Sequence, residues 1–126
     1  MSIFEQNCKP LAKSLVGQVL KVGNQEVEIL QAQGYPRTDN EQGIYVPILD
    51  MKPGSVFCPQ HRGGLLFLVA CSDGGKPGGC VLIRKVRVDG NVISGPGRVA
   101  EALGVEKVGS TGRITNSREK LTLHMK

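Results

Sequence analysis

Four cysteines and two histidines are the residues of this 126-residue chain best suited to binding a metal ion. Cys58 and His61 form a Cys-x-x-His pair, and Cys71 and Cys80 bracket a glycine-rich segment that predicts a hairpin. Since neighbouring strand ends bring such side chains together, the four residues are candidate ligands for zinc. Cys71 and Cys80 also lie in or beside apolar segments, where free cysteine packs as a small hydrophobic residue. We therefore favour core thiols and no cofactor, with zinc as the alternative.

A second group of residues is suited to binding phosphate. The segment LIRKVRV carries Arg84, Lys85 and Arg87 on one predicted strand, and SGPGR places Arg98 at the start of a predicted helix. Cations along a strand form a basic stripe, and free N–H groups at a helix start attract anions. With a net charge of +5 and a pI of about 9.2, these residues favour DNA or another nucleic acid as a partner. The alternative is an ordinary solvated charged surface.

Familiar catalytic motifs are absent from the sequence. Neither Gly-x-Ser-x-Gly nor His-Glu-x-x-His occurs, and the glycine-rich segment at 74–79 does not end in Gly-Lys-Ser or Gly-Lys-Thr. The acidic residues are scattered over predicted strand edges and turns, so none stands out as a general base in a shielded pocket. Glu28 and Asp39 are the candidate bases. The pattern favours a non-enzymatic role, with a hydrolase as the alternative.

Short strands and turns dominate the predicted elements that hold these residues. Seventeen glycines and seven prolines favour turns over a helical bundle, and the length fits one domain. Helical apolar spacing occurs near the N-terminus and near residues 95–104, where Ser94 is the expected cap. The first helical stripe comprises Leu11, Leu15, Val16 and Val19. The order of helix, strands, helix and strand predicts an α+β fold with a mainly antiparallel sheet.

Three local expectations follow from turn residues and alternation. Residues 34–43 are polar and turn-rich, which predicts a loop. Residues 44–54 are predicted to be extended, with Pro47 preventing a long ladder. Strict alternation along CVLIRKVRV predicts two faces, one with Val81, Ile83 and Lys85 and the other with Cys80, Leu82 and Arg84.

The N-terminal segment does not resemble a signal peptide, because no basic region followed by a continuous apolar stretch is present. No apolar run approaches the roughly 18 residues that span a membrane. Four cysteines without a secretion signal indicate reduced thiols. We therefore expect a cytoplasmic or nuclear protein that is not secreted and has no membrane partner.

Four segments are similar, in order and rough spacing, to the alkyladenine (3-methyladenine) DNA glycosylases: LAKSLVGQVL, MKPGSVF, CVLIRKV and SGPGRVAEALGV. The resemblance runs from Leu11 to about Leu123, and the last two segments are its most specific part. It implies a single glycosylase-like domain over residues 1–126, with a curved, barrel-like sheet and a basic face that holds DNA. In that family a damaged purine flips into an aromatic-lined pocket, where a glutamate activates water.

The pocket positions implied by the resemblance carry other residue types here. Gln31 stands at the position of the glutamate, and Gln33 at that of a stacking tyrosine. Pro59, Arg62 and Val69 stand where the family has a second stacking aromatic, an intercalating tyrosine and a pocket asparagine. An amide cannot accept a proton from water at neutral pH. The resemblance thus implies a scaffold that is kept and a catalytic pocket that is lost.

Three hypotheses for function follow. The first is non-catalytic binding of DNA through basic residues, namely Arg62, Arg84, Lys85, Arg87 and Arg98. The second is active base-excision DNA repair, with catalysis relocated to Glu28 or Asp39. The third is a protein-interaction module built on the same fold. We favour the first, because the scaffold segments and the cations are present and the pocket residues are not.

Overall fold

The computed structural model describes residues 3–41, 46–61, 64–105, 110–117 and 120–125. The helices in this part of the chain are α1 (Cys8–Leu15), α2 (Arg37–Asn40) and α3 (Pro96–Ala102). Two short 3-10 segments cover Ile3–Glu5 and Val46–Asp50. The strands are β1 (Val19–Val22), β2 (Gln25–Tyr35), β3 (Ser55–Cys58), β4 (Gln60–His61), β5 (Gly64–Leu65), β6 (Leu68–Asp73), β7 (Lys76–Val88), β8 (Asn91–Ser94), β9 (Ser110–Ser117) and β10 (Lys120–Met125).

Seven strands close into a barrel in the order β2-β1-β10-β9-β3-β6-β7, and β7 pairs back with β2. All of these neighbours are antiparallel except β1 and β10, which run parallel. Strand β7 is long enough to pair with β6 along its first half and with β8 along residues 85–88. The predicted α+β fold is confirmed, with its curved, mainly antiparallel, barrel-like sheet, an N-terminal helix and a second helix near residues 95–104.

The main core occupies the barrel interior. It combines buried side chains of all seven barrel strands with those of α1 and α3. From α1 it takes Leu11 and Leu15, which are 0% and 1% exposed. Val16 and Val19, assigned by their spacing to the same stripe, are instead exposed, because α1 ends at Leu15 before Gly17 turns the chain at a φ of 91°.

Helix α3 closes part of the core with Val99 and with its C-cap residue Leu103, which are both buried. It ends where predicted, because Gly104 follows with a φ of 70°. The expected cap is wrong: the N-cap residue is Gly95, not Ser94, and a glycine has no side chain that could cap the helix. Gly95 takes a φ of 107°, which a serine would adopt only with strain, and Pro96 then starts the helix with its fixed φ.

Residues 34–43 are not wholly a loop, because β2 continues to Tyr35 and α2 follows it. The fully buried Asn40 ties this helix to the barrel: its Nδ2 donates to the Gly78 carbonyl oxygen at 2.6 Å and to the Tyr35 carbonyl oxygen at 3.4 Å. The Arg37 backbone N–H donates to the Asp73 carboxylate at 2.8 Å. These long-range hydrogen bonds override a composition typical of loops.

The extended conformation expected for residues 44–54 is wrong where the structure describes it, since Val46–Asp50 forms a 3-10 segment. Its Ile48 is completely buried and packs outside the barrel on β6 and β7. We call this packing the outer cluster; it consists of Ile48, Leu66, Leu68, Ala70, Cys80 and Leu82. The 3-10 segment places Ile48 over these side chains, and the burial of this apolar surface stabilises the segment.

Candidate nucleic-acid interface

A pair of β-bulges interrupts the ladder between β2 and β7. Ile83 and Val86 of β7 are both buried in the main core, although they are three positions apart. Period-two alternation would bury only one of them. The register shows why: Lys85 lies opposite Gln31, but the next pair is Ile83 with Ala32, so Arg84 has no partner of its own on β2. The bulge therefore turns both Arg84 and Lys85 out of the core.

A matching irregularity lies one step away on β2. Ile29 pairs with Val86 and Gln31 pairs with Lys85, so Leu30 is the extra residue on this strand. Ile29 is 2% exposed, whereas Gln31 is exposed. Together the two bulges restore the register between β2 and β7. They also turn Gln31 and its partner Lys85 outward.

The direction of Lys85 corrects the expectation from strict alternation. Directly opposed residues of an antiparallel pair point to the same face of the sheet. Lys85 lies opposite Gln31 on one side and Ser94 on the other, and both are exposed. Lys85 therefore faces outward with Arg84, and not inward with Val81 and Ile83, because the bulge adds one residue to the alternation.

We use the term basic face for the outward-pointing residues that the bulges assemble on β2 and β7: Glu28, Gln31, Gln33, Arg84, Lys85 and Arg87. Within it, Arg84 Nη1 donates to Gln33 Oε1 at 3.1 Å. Arg87 Nη1 lies 2.8 Å from Glu28 Oε1, and the two side chains are 46% and 36% exposed. Three cations thus share the face with a single carboxylate, so its net charge is positive.

The structure brings together only part of the pocket implied by the resemblance. Gln31 and Gln33 lie side by side on the basic face and are exposed. Val69 does not join them: it is 0% exposed and pairs with Val56 and Val81, which are buried in the barrel interior. The expectation that Val69 lines this pocket is corrected, because alternation along β6 points it away from the outer face.

Of the two further positions of that pocket, the structure describes only Pro59. Pro59 follows β3, is half-buried, and accepts a backbone hydrogen bond of 2.9 Å from Leu66 at its carbonyl oxygen. Arg62, the candidate for entering a groove of DNA, lies outside the described residues. Neither Pro59 nor Arg62 is aromatic, so these two positions supply no stacking side chain to a pocket at Gln31 and Gln33.

Neither candidate base occupies a shielded site. The Glu28 carboxylate is held by Arg87 and is partly open to solvent. Asp39 is exposed on the short helix α2. A general base needs a position within reach of its proton and away from bulk water. The geometry around Glu28 and Asp39 suits surface charges better than it suits catalysis.

Arg98 lies on α3, apart from the β7 cations. It is exposed and lines an open groove of about 540 Å³ together with Val92, Ile93, Glu101 and Ala102. The helix begins next to the basic face, because the N–H of its N-cap residue Gly95 donates to the Arg84 carbonyl oxygen at 2.9 Å. Arg98 therefore flanks the basic face and does not extend its row.

The sheet separates the three cysteines among the candidate zinc ligands. Cys58 and Cys71 are buried in the main core, whereas Cys80 is buried in the outer cluster. His61 lies on β4, and its side chain is outside the described part of the structure. Within the described residues, no group of three or more His, Cys, Asp or Glu side chains is placed to hold a metal ion.

Burial also keeps these thiols protonated. It raises the pKa of Cys58 and of Cys80 to about 12, and it raises the pKa of Cys71 further. The thiolate is the form that binds metal or attacks an electrophile. The Cys80 thiol also donates to Asn40 Oδ1, with 3.7 Å between sulfur and oxygen, so it helps to hold α2 against the barrel. These cysteines act as core residues in the described fold.

Comparison with known proteins adds no family assignment. No protein-family model matches the chain, and no curated protein matches it. Among the described helices, none has both the length and the apolar character needed to cross a bilayer.

The sequence contained one signal for the basic face that strict alternation overlooks. In the segment IRKV, two cations separate apolar residues at positions i and i+3, which a regular strand cannot bury together. That spacing indicates a bulge. The ion pair between Glu28 and Arg87 carried no such signal, since it depends on the register between β2 and β7.

Proposed function

We propose that this protein is a non-catalytic DNA-binding domain of the alkyladenine DNA glycosylase type, and that the basic face is its contact surface. The observation that carries this proposal is the placement of Arg84, Lys85 and Arg87 on one outer face, where Arg87 is paired with Glu28 and Arg84 hydrogen-bonds to the Gln33 amide. Cations that neutralise phosphates release counterions from the DNA, which drives binding independently of sequence.

The neighbouring side chains support the same role. Gln31 and Gln33 carry amides that both donate and accept hydrogen bonds, so they can contact phosphate oxygens or base edges. An ionised glutamate at either position would weaken the positive potential beside Lys85 and Arg84. An amide at the position of the family's glutamate therefore suits binding while it removes the group that would activate water.

The catalytic alternative has less support from the geometry. Glu28 is committed to an ion pair with Arg87, and Asp39 lies in the open on α2. A protein-interaction role has its own support at the open edge of β8. Non-catalytic DNA binding remains the proposal that accounts for both the row of cations and the amide at Gln31.

The test is a titration of a fluorescent duplex, plain and abasic, at two salt concentrations. We expect binding whose log K falls with log salt at a slope of about −3, as for three to four phosphate contacts at about 0.9 each. A slope near zero, or no binding at low salt, would exclude the basic face as a DNA surface. Release of free base from alkylated duplex at protein excess would contradict the non-catalytic part of the proposal.

Replacing Glu28 by glutamine should strengthen binding. The change frees Arg87 from its ion pair and raises the net charge from +5 to +6. Because the Glu28 carboxylate no longer competes with phosphate for Arg87, we expect about fivefold tighter binding, with a salt slope that stays at about −3. The measurement is the same duplex titration. If Glu28 were instead a general base for base excision, the variant would lose base release, so the two roles predict opposite results.

A further inference from the structure

Strand β8 leaves one edge of the sheet open. Within the described residues, every strand of the closed barrel has a neighbour on both sides, whereas β8 pairs with β7 alone. An open edge presents unpaired N–H and C=O groups that another extended chain can pair with. Proteins usually block such edges with proline, lysine or inward-pointing charges. The strand Asn-Val-Ile-Ser contains none of these.

The ladder geometry identifies which backbone groups point to the open side. The Gly95 N–H donates to the Arg84 carbonyl oxygen at 2.9 Å, which makes Gly95 and Arg84 a hydrogen-bonded pair. Hydrogen-bonded and non-bonded pairs alternate along an antiparallel ladder. Ser94 opposite Lys85 and Val92 opposite Arg87 are therefore non-bonded pairs. The N–H and C=O groups of Val92 and Ser94 thus point away from β7.

A groove accompanies this edge. Val92 is 54% exposed, the largest exposure among the large hydrophobic side chains that the structure describes. The open groove of about 540 Å³ runs from Val92 and Ile93 to Arg98, Glu101 and Ala102 on α3. A strand added to β8 would place alternate side chains beside Val92 and over the α3 side of this groove.

We propose that the β8 edge and this groove bind an extended peptide of a partner protein by strand addition, and that the peptide alternates apolar and acidic residues. Apolar side chains of the peptide fit over Ile93 and Ala102 on the α3 side of the edge. Acidic side chains, which alternate with them, fit the outer face, where Lys85 and Arg87 lie opposite Ser94 and Val92. A second copy of this chain suits the edge less well. Four residues span only about 13 Å, and a stable dimer needs roughly 20–30 residues on each side.

The experiment uses the full chain and two capped hexapeptides, one of alternating valine and aspartate and one of alternating valine and lysine. Backbone amide shifts are followed by NMR while each peptide is added to about 1 mM. We expect the aspartate peptide to shift Val92, Ser94 and Ala102, and to bind about tenfold more tightly than the lysine peptide. Absence of these shifts, or equal binding of both peptides, would overturn the proposal.

Two variants identify the binding mode. Val92→Pro removes an N–H that points to the open edge and leaves the bonds to β7 in place, so binding should be lost. Val92→Ala is the matched control, because it shortens the side chain but keeps the N–H, and it should retain most of the affinity. If Val92→Pro fails to fold, Lys85→Glu provides the decision, since it should reverse the preference toward the lysine peptide. Shifts of the same amides by duplex DNA and not by either peptide would assign the edge to nucleic acid and overturn peptide binding.

Discussion

Replacing Arg84, Lys85 and Arg87 together by glutamine is expected to lower the affinity for duplex DNA about a hundredfold at low salt. The three side chains share the outer face because the paired bulges turn Arg84 and Lys85 outward beside Arg87. Loss of about 1 kcal/mol for each phosphate contact corresponds to a factor of about 10² in total. The salt slope should also flatten by about 2.7, since each lost contact removes about 0.9.

The control for this variant removes the same charge from other surfaces. Lys13, Lys52 and Arg113 are exposed on α1, on the segment before β3 and on β9. Their joint replacement by glutamine also lowers the net charge from +5 to +2, because three positive charges are lost in each variant. We expect the control to weaken binding only a few-fold, through the general field of the protein. Equal losses in both variants would mean that net charge attracts DNA and that the basic face is no specific surface.

Helices α1 and α3 and most strands followed from local sequence signals. Leu11 and Leu15 define a helical stripe, Gly17 and Gly104 mark two helix ends by positive φ, and β3 and β6 are short apolar segments between turns. These signals act within a few residues, so they are visible without any knowledge of the tertiary structure.

The elements that were predicted wrongly depend on long-range contacts. Helix α2 forms because Asn40 is buried against Gly78, which is 38 positions away in the chain. The 3-10 segment at Val46–Asp50 forms because Ile48 covers β6 and β7. Composition contains no information on either partner, so the polar stretch at 34–43 was predicted to be a loop and residues 44–54 were predicted to be extended.

The candidate site was predictable in its residues but not in its arrangement. Arg84, Lys85 and Arg87 were identified by charge, and Gln31 and Gln33 by resemblance, and all five lie on one face. Their arrangement depends on the register between β2 and β7, which a single sequence does not specify. Val69 shows why a role transferred by position in a motif can fail: alternation along β6 points its side chain into the core. Assigning a role to a residue by resemblance therefore requires the direction in which its side chain points, as well as its place in the sequence.

Gly34→Ala is expected to destabilise the protein by about 3 kcal/mol, which lowers the melting temperature by about 10 °C for a chain of this length. A Cβ atom at Gly34 would lie 2.6 Å from the Cys8 carbonyl oxygen, 2.7 Å from its carbon and 3.0 Å from the Lys9 nitrogen. These are backbone atoms of the first turn of α1, so no side-chain rotation relieves the contact. The helix itself must move, although Leu11 and Leu15 fix it in the main core.

Gly97→Ala is the matched control, because it adds the same methyl group at a glycine that also lacks a positive φ. A Cβ atom there would meet its nearest neighbour, the Gly64 Cα, at 3.9 Å, which is ordinary contact. Alanine also favours helix over glycine by about 0.5–1 kcal/mol, so the control should melt at an equal or higher temperature. Thermal unfolding followed by circular dichroism compares the two. Because α1 packs against β2 next to Gln33, a partly folded Gly34→Ala protein should also bind duplex DNA more weakly. If the two variants instead melt at the same temperature, α1 does not hold β2 in place.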